Sequence, residues 1–133
     1  MNYTTTLRLP LTLEQAVPLV KAALQAQGFG TLTEIDIRAT LREKIGAEFE
    51  PYVILGACNP QLAFRALSAE PEIGALLPCN VVVRESDGGV IVDALDPAVM
   101  SKLTENPALG PVADEAARLI GEALNDLRQQ ASS

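Results

Sequence analysis

The two cysteines are the residues of this chain best suited to chemistry, and they occur in similar surroundings. Cys58 lies in the block ACNP, at the end of an apolar stretch, and Cys79 lies in the block PCNV, at the start of another. Asn59 and Pro60 are typical of a helix N-cap and first turn, and a helix N-terminus lowers the pKa of a nearby thiol. Strand ends beside helix N-termini are also common ligand sites. We therefore expect a small-ligand pocket near the Cys58-Asn59 strand end.

A second interpretation treats both cysteines as small buried apolar residues, because free Cys is among the most buried residue types. For Cys79 the predicted hairpin supports this interpretation. A two-residue loop at either Asp87-Gly88 or Gly88-Gly89 places Cys79 on the core face and turns Asn80 to the other face. We therefore expect Asn80, rather than Cys79, to meet solvent or a ligand.

Glu34 and Asp36 share a strand face in the most charge-dense stretch of the chain, which also holds Arg38, Arg42 and Lys44. Arg38 and Arg42 are four residues apart on a predicted helix, where like charges repel unless an anion or a carboxylate pairs with them. Glu34 and Asp36 are therefore candidate ligand-binding residues. The alternative is a solvated face on which Asp36 only caps the helix. The full candidate set is Cys58, Asn59, Pro60, Cys79, Asn80, Glu34 and Asp36.

The composition excludes several classes of function. The chain of 133 residues has no histidine, so His-based triads, imidazole bases and His zinc ligands are ruled out. Two cysteines with scattered carboxylates are too few for zinc, which normally takes four ligands with close spacings. The net charge of −7 argues against nucleic acid and anionic membranes as partners. We expect no metal, no cofactor and no nucleic acid.

Length and hydrophobicity are typical of one soluble domain spanning residues 1–133, with 48% hydrophobic and 20% charged residues. No apolar run reaches the ~18 residues of a membrane span. The first nine residues lack the basic patch and apolar block of a signal peptide. We expect a cytoplasmic protein without membrane contact, in which both thiols are reduced.

Hydrophobic periodicity and helix-capping residues predict ten elements in the order β-α-β-α-β-α-β-β-α-α. The predicted strands cover 3–9, 31–35, 51–57, 79–85 and 90–95, and the predicted helices follow Thr12, Asp36, Asn59 and Asp96, with a long amphipathic helix over 112–127. Pro18 predicts a bend or a later start of the first helix. Residues 129–133 are expected to fray.

These elements predict an α+β two-layer sandwich, with a mixed sheet of four or five strands and helices packed on one face. The helix after Asn59 would join two parallel strands by a right-handed crossover. Cys58 and Cys79 would then lie at opposite edges of the sheet, ~23 Å apart, and could not form a disulfide. If residues 71–78 ran back across the sheet, the strands would be antiparallel. Both cysteines would then share one edge, which would favour a shared thiol or metal site.

Four blocks of sequence together resemble a known family. They are GFGTLTEID (28–36), TLREKIG (40–46), ILGACNP (54–60) and LLPCNVVV (76–83). In this order and spacing they resemble the DUF302 family, a domain of unknown function found in bacteria and archaea, over nearly the whole chain. The resemblance implies a small two-layer α/β domain, a dimer, and no established activity.

Three functional hypotheses follow, and whether the protein is an enzyme is left open. The first is a cytoplasmic small-ligand-binding or thiol-linked accessory protein with its pocket near Cys58 and Asn59. The second is a non-catalytic homodimeric assembly module, in which the other sheet face forms the dimer and the cysteine motifs only serve packing. The third is a Cys-dependent enzyme, which would need a base in place of histidine. An accessible, reactive Cys58 distinguishes the first hypothesis from the second.

Overall fold

The computed structural model describes residues 2–132 of the chain, and its elements follow the predicted order. The described residues form five strands, five α-helices and two short 3₁₀ segments. The strands are β1 (Thr4–Leu9), β2 (Gly30–Asp36), β3 (Tyr52–Cys58), β4 (Cys79–Ser86) and β5 (Gly89–Leu95). The helices are α1 (Leu13–Ala26), α2 (Ile37–Ile45), α3 (Pro60–Ala69), α4 (Ala98–Thr104) and α5 (Gly110–Ser132), and the 3₁₀ segments are Pro71–Leu76 and Pro107–Leu109.

Side-chain caps place the helix starts where the sequence predicts them. Thr12 and Gln15 form a reciprocal capping box before α1, and Asp36 accepts a hydrogen bond from the Ala39 amide before α2. α1 begins at Leu13 although Pro18 lies inside it, so the expected later start is wrong. α5 continues to Ser132, so residues 129–132, where we expect fraying, have helical geometry, while residue 133 lies outside the described part of the chain.

The sheet has the order β1-β5-β4-β3-β2, and every neighbouring pair of these strands is antiparallel. The predicted α+β sandwich is confirmed, but the expected mixed sheet and the parallel crossover between β3 and β4 are wrong. The physical reason is the segment after α3. The 3₁₀ turn Pro71–Leu76 and the residues up to Pro78 carry the chain back across the sheet, so β4 starts beside the end of β3.

A two-residue turn joins β4 to β5. Asp87 and Gly88 both have positive φ, 47° and 80°, which is the signature of a hairpin turn matched to strand twist. Ser86 therefore pairs with Gly89, and the Arg84 Nε donates across the hairpin to Asp93 Oδ2 at 2.8 Å.

One hydrophobic core lies between the sheet and the helices. Alternate residues of the strands point into it, including Leu7, Leu55, Val83 and Val92, each at most 6% exposed. The intervening positions form the other face of the sheet. Val82, Arg84, Ile91 and Asp93 remain part-exposed there, as hairpin alternation predicts. Within residues 2–132, no helix combines the length and apolarity needed to cross a membrane.

Candidate functional site

The antiparallel register brings the two cysteine motifs to one edge of the sheet. Ala57 of β3 lies opposite Cys79 of β4, and Gly56 lies opposite Asn80. Cys58 is the next residue of β3 and pairs with Gly30 on the other side. The expected separation of the cysteines across the sheet is therefore wrong, because it depended on the parallel crossover. The arrangement found is the one that favours a shared site.

A cleft opens where β3 passes into α3, and its cavity has a volume of about 20 Å³. That volume is near the minimum that holds one water-sized body. The walls come from the strand ends, α3, α4 and the start of α5. They are formed by Phe29, Ala57, Cys58, Asn59, Leu62, Ala63, Ala66, Leu77, Cys79, Met100, Val112 and Ala116. The lining is apolar apart from the Asn59 side chain and two thiols, so the cleft suits a very small apolar or sulfur-seeking ligand.

The two thiols have different environments. Cys79 is only 6% exposed, and burial together with the neighbouring Cys58 raises its pKa from 9.0 to about 11. Its thiol is therefore protonated at neutral pH. Cys58 is half-buried at the end of β3, where reagents reach it more easily. Both cysteines are unbridged.

Asn59 joins the cleft to the start of α3. Its side-chain Oδ1 accepts a hydrogen bond from the Leu62 amide at 3.2 Å, and Pro60 is the first helical residue, as predicted. The Asn59 amide also lies against the end of α1. A Cβ placed on Gly28 would come within 3.0 Å of Asn59 Nδ2, and Gly28 has φ +86°. Glycine at position 28 thus lets the chain turn and leaves room for the Asn59 cap.

Gly56 fixes how closely β2 and the start of β4 approach β3. A Cβ at this position would overlap the Thr33 hydroxyl and lie 2.9 Å from Pro78 Cγ. The register between β2 and β3 shifts at residues 31–33, directly beside Gly56. The glycine of the ILGACNP block therefore has a packing role, which holds the two cysteine motifs at their observed spacing.

Comparison with known proteins agrees with this geometry. The sequence pattern of DUF302, a domain of unknown function, matches residues 3–127. The chain belongs to the DUF302 family. A solved structure described as that of an uncharacterized conserved DUF302 protein from Bacillus stearothermophilus is similar, with a TM-score of 0.87 and 26% identity. The match covers 94% of this chain and 98% of the other. No functionally curated protein matches.

The ILGACNP and LLPCNVVV blocks thus meet at the cleft of this DUF302 chain. Some of the candidate residues lie elsewhere. Pro60 is exposed at the first turn of α3, beside the cleft. Asn80 lies on the sheet face away from the helices, exposed as predicted, and lines a separate shallow groove there with Tyr3, Tyr52 and Asp93.

Glu34 and Asp36 lie farther along β2 from the cleft. Cys58 pairs with Gly30, whereas Glu34 pairs with Leu55 and Asp36 with Val53, so Asp36 is six residues or ~20 Å along the strand from Gly30. Glu34 forms an ion pair with Lys21, and Asp36 caps α2 through the Ala39 amide at 2.9 Å. The structure therefore favours the capping interpretation of Asp36.

Arg42, one of the two arginines expected to need an anion, lies 3.4 Å from the Glu48 carboxylate. This contact supplies the partner from within the chain.

Sequence reasoning did not single out the nine apolar residues of the cleft in this DUF302 chain, among them Phe29 and Met100. Phe29 is 2% exposed and directly follows Gly28, where the chain leaves α1. An apolar residue directly after a glycine that ends a helix could have been predicted to be buried. Met100 is 3% exposed and reaches the cleft from α4. Its location depends on how α4 folds back against α5, which the local sequence pattern does not encode.

Proposed function

We propose that this protein is a small-ligand-binding or thiol-linked accessory protein whose working site is the cleft beside Cys58. The observation that carries the proposal is the meeting of both cysteine motifs at one apolar cleft, under the N-terminus of α3. Cys58 is the accessible thiol of the pair and is the expected point of ligand contact.

Binding is favoured over catalysis by the lining of the cleft. Within the described part of the chain, its walls contain no Asp, Glu, Lys or Arg. A cysteine nucleophile is activated by an adjacent base, a cationic neighbour or a helix N-terminus, and of these only the N-terminus of α3 adjoins the cleft. The Cys-dependent enzyme is therefore the least supported of the three hypotheses.

Native mass spectrometry of protein purified directly from its source cells tests the proposal. We expect a retained small ligand or a covalent adduct on the wild-type chain, and its loss from Cys58→Ser. Ala69→Ser is a matched control that should keep the ligand, because it is an exposed residue of α3 that does not line the cleft. A chain that carries nothing, and whose Cys58 resists a thiol reagent in the native state, would contradict the proposal.

A homodimer is the second candidate, and the uncovered face of the sheet favours it. Ile35, Ile54 and Val82 form a row across β2, β3 and β4 on this face. The side chains remain at least part-exposed, with Ile35 at 43%. Sheets with apolar faces pack on one another about 10 Å apart. A second copy laid on this face would bury the row.

Location and domain organisation complete the proposal. Unbridged cysteines persist in reducing compartments, which supports a cytoplasmic location. One core cluster and a family match over residues 3–127 support a single DUF302 domain over residues 1–133.

A further inference from the structure

Three sulfur-bearing residues line the same cleft. Cys58 and Cys79 reach it from the adjoining ends of β3 and β4, and Met100 reaches it from α4. Cys79 and Met100 are buried, at 6% and 3% exposure, while Cys58 is half-buried. The chain has only two cysteines and two methionines, so three of its four sulfur atoms belong to residues around one cavity of about 20 Å³.

The sulfur atoms of Cys58, Cys79 and Met100 are soft metal ligands. Thiolate and thioether ligands select Cu(I), whereas carboxylates, carbonyls and water suit hard cations. The geometry points to a binding site for a soft monovalent metal ion, of the Cu(I) class, formed by Cys58, Cys79 and Met100. This inference rests on the proposed ligand cleft and names its occupant. The size of the cavity fits the assignment, because it suits one ion rather than an organic molecule.

Other uses of the same residues fit less well. Residues 2–132 contain no group of three or more His, Cys, Asp or Glu that could hold a metal ion, so the four Cys, His or carboxylate ligands of a structural zinc site are missing. A disulfide requires Cβ atoms in direct opposition, whereas Cys58 is offset by one residue from Ala57, the position that opposes Cys79. A metal ion spans a wider gap between sulfur atoms than an S–S bond of about 2.05 Å does.

Binding is a ligand exchange without oxidation or reduction. Three metal–sulfur bonds form, two to the thiolates and one to the Met100 thioether, while the bonds of Cu(I) to the ligands that delivered it break and release those ligands. The two S–H bonds break, and two protons leave for solvent. The Cu(I) charge stays +1, and the bound site with its two thiolates carries −1, while the Met100 thioether remains neutral. Among the described residues that line the cleft, the two thiols are the titratable groups. Protons therefore compete with the metal, and affinity should rise as the pH rises.

The test is an anaerobic titration of the reduced, full-length protein with Cu(I) in the presence of a chromophoric Cu(I) chelator as competitor. We expect one Cu(I) per chain, release of about two protons per ion in weakly buffered solution, and a thiolate-to-metal ultraviolet absorption band. Cys58→Ser and Cys79→Ala should each lower the affinity by more than about 100-fold, and Met100→Leu by about tenfold.

Matched variants separate ligation from folding. Met100→Leu keeps the volume and the apolar character of the side chain, so its thermal unfolding without metal should match that of the wild type. Ala69→Ser makes a small polar change on an exposed residue of α3 that does not line the cleft, and it should leave Cu(I) affinity unchanged. Cu(I) binding that Met100→Leu and Cys58→Ser both leave unaltered would overturn the site.

The absence of stoichiometric binding to the wild type would also overturn the site. That result would leave the proposed function standing if Cys58 still carries a ligand or reacts selectively. Conversely, an unreactive Cys58 and an empty chain from cells, together with tight Cu(I) binding in vitro, would contradict the accessory-protein proposal and keep the metal site.

Discussion

At the scale of the residue, Cys58 and Cys79 should react at different rates with a thiol reagent. Cys79 is buried and its pKa is raised to about 11, so its reactive thiolate is scarce at neutral pH. Cys58 is half-buried at the end of β3. We expect iodoacetamide to modify Cys58 first, as followed by peptide mass spectrometry over time. Equal rates, or faster modification of Cys79, would contradict the assignment.

The raised pKa of Cys79 also predicts a dependence of stability on pH. The folded state holds the thiol proton more tightly than the unfolded chain, so this contribution is complete below pH 9.0 and is lost as the pH rises toward about 11. Two pKa units correspond to a loss of roughly 3 kcal/mol. Urea unfolding at pH 8, 9.5 and 11 should show the decline. Cys79→Ala should show a smaller decline over the same range, and an identical slope would contradict the prediction.

Gly56 provides a third test at this scale. Gly56→Ala places a methyl group against Thr33 and Pro78, and we expect it to destabilise the fold by about 1–3 kcal/mol. Gly121→Ala is the matched control, because nothing lies within 4 Å of its Cβ and it sits inside α5. That change should stabilise the chain by about 0.5–1 kcal/mol. If the melting temperatures of the two variants shift in the same direction, the close packing of Thr33 and Pro78 around Gly56 is contradicted.

At the scale of the element, Asn59 should act mainly as the cap of α3. Asn59→Ala removes the hydrogen bond to the Leu62 amide and should cost about 1 kcal/mol, whereas Asn59→Asp keeps an acceptor and should cost less. Both are read from thermal melts. Ligand or Cu(I) binding should suffer less from Asn59→Ala than from Cys58→Ser. Unchanged stability with lost binding would make Asn59 a site residue instead of a cap.

The elements also show what the sequence could predict. Caps and turn glycines are local signals, so the starts of α1, α2 and α3 and the β4–β5 hairpin were predictable to within a residue or two. The direction of β4 was not, because a connection of nine residues after α3 can lead to either a parallel or an antiparallel neighbour. That single choice decides whether Cys58 and Cys79 line the same cleft. Long-range packing likewise decides that Met100 reaches the cleft.

At the scale of the whole molecule, charge and exposure together indicate how two copies could associate. The chain carries −7, yet the uncovered sheet face, within the described strands, carries Arg8, Arg84 and a single Asp93. Because Arg84 and Asp93 pair with each other, two copies facing each other there bring few unpaired charges into contact. The apolar row Ile35, Ile54 and Val82 supplies the area to be buried.

Val82→Lys should therefore disrupt a dimer without unfolding the chain. The residue is part-exposed at the centre of that face, so lysine is tolerated in the monomer, but two copies would then bring buried ammonium groups together. Analytical ultracentrifugation should give twice the 14.1 kDa chain mass for the wild type and the single mass for Val82→Lys. Phe64→Lys, on a side chain of α3 that is 73% exposed, is the control and should remain dimeric. A wild type that sediments as a monomer at every concentration would exclude the dimer. A dimer that survives Val82→Lys but dissociates with Phe64→Lys would instead place the interface on the helical side of the molecule.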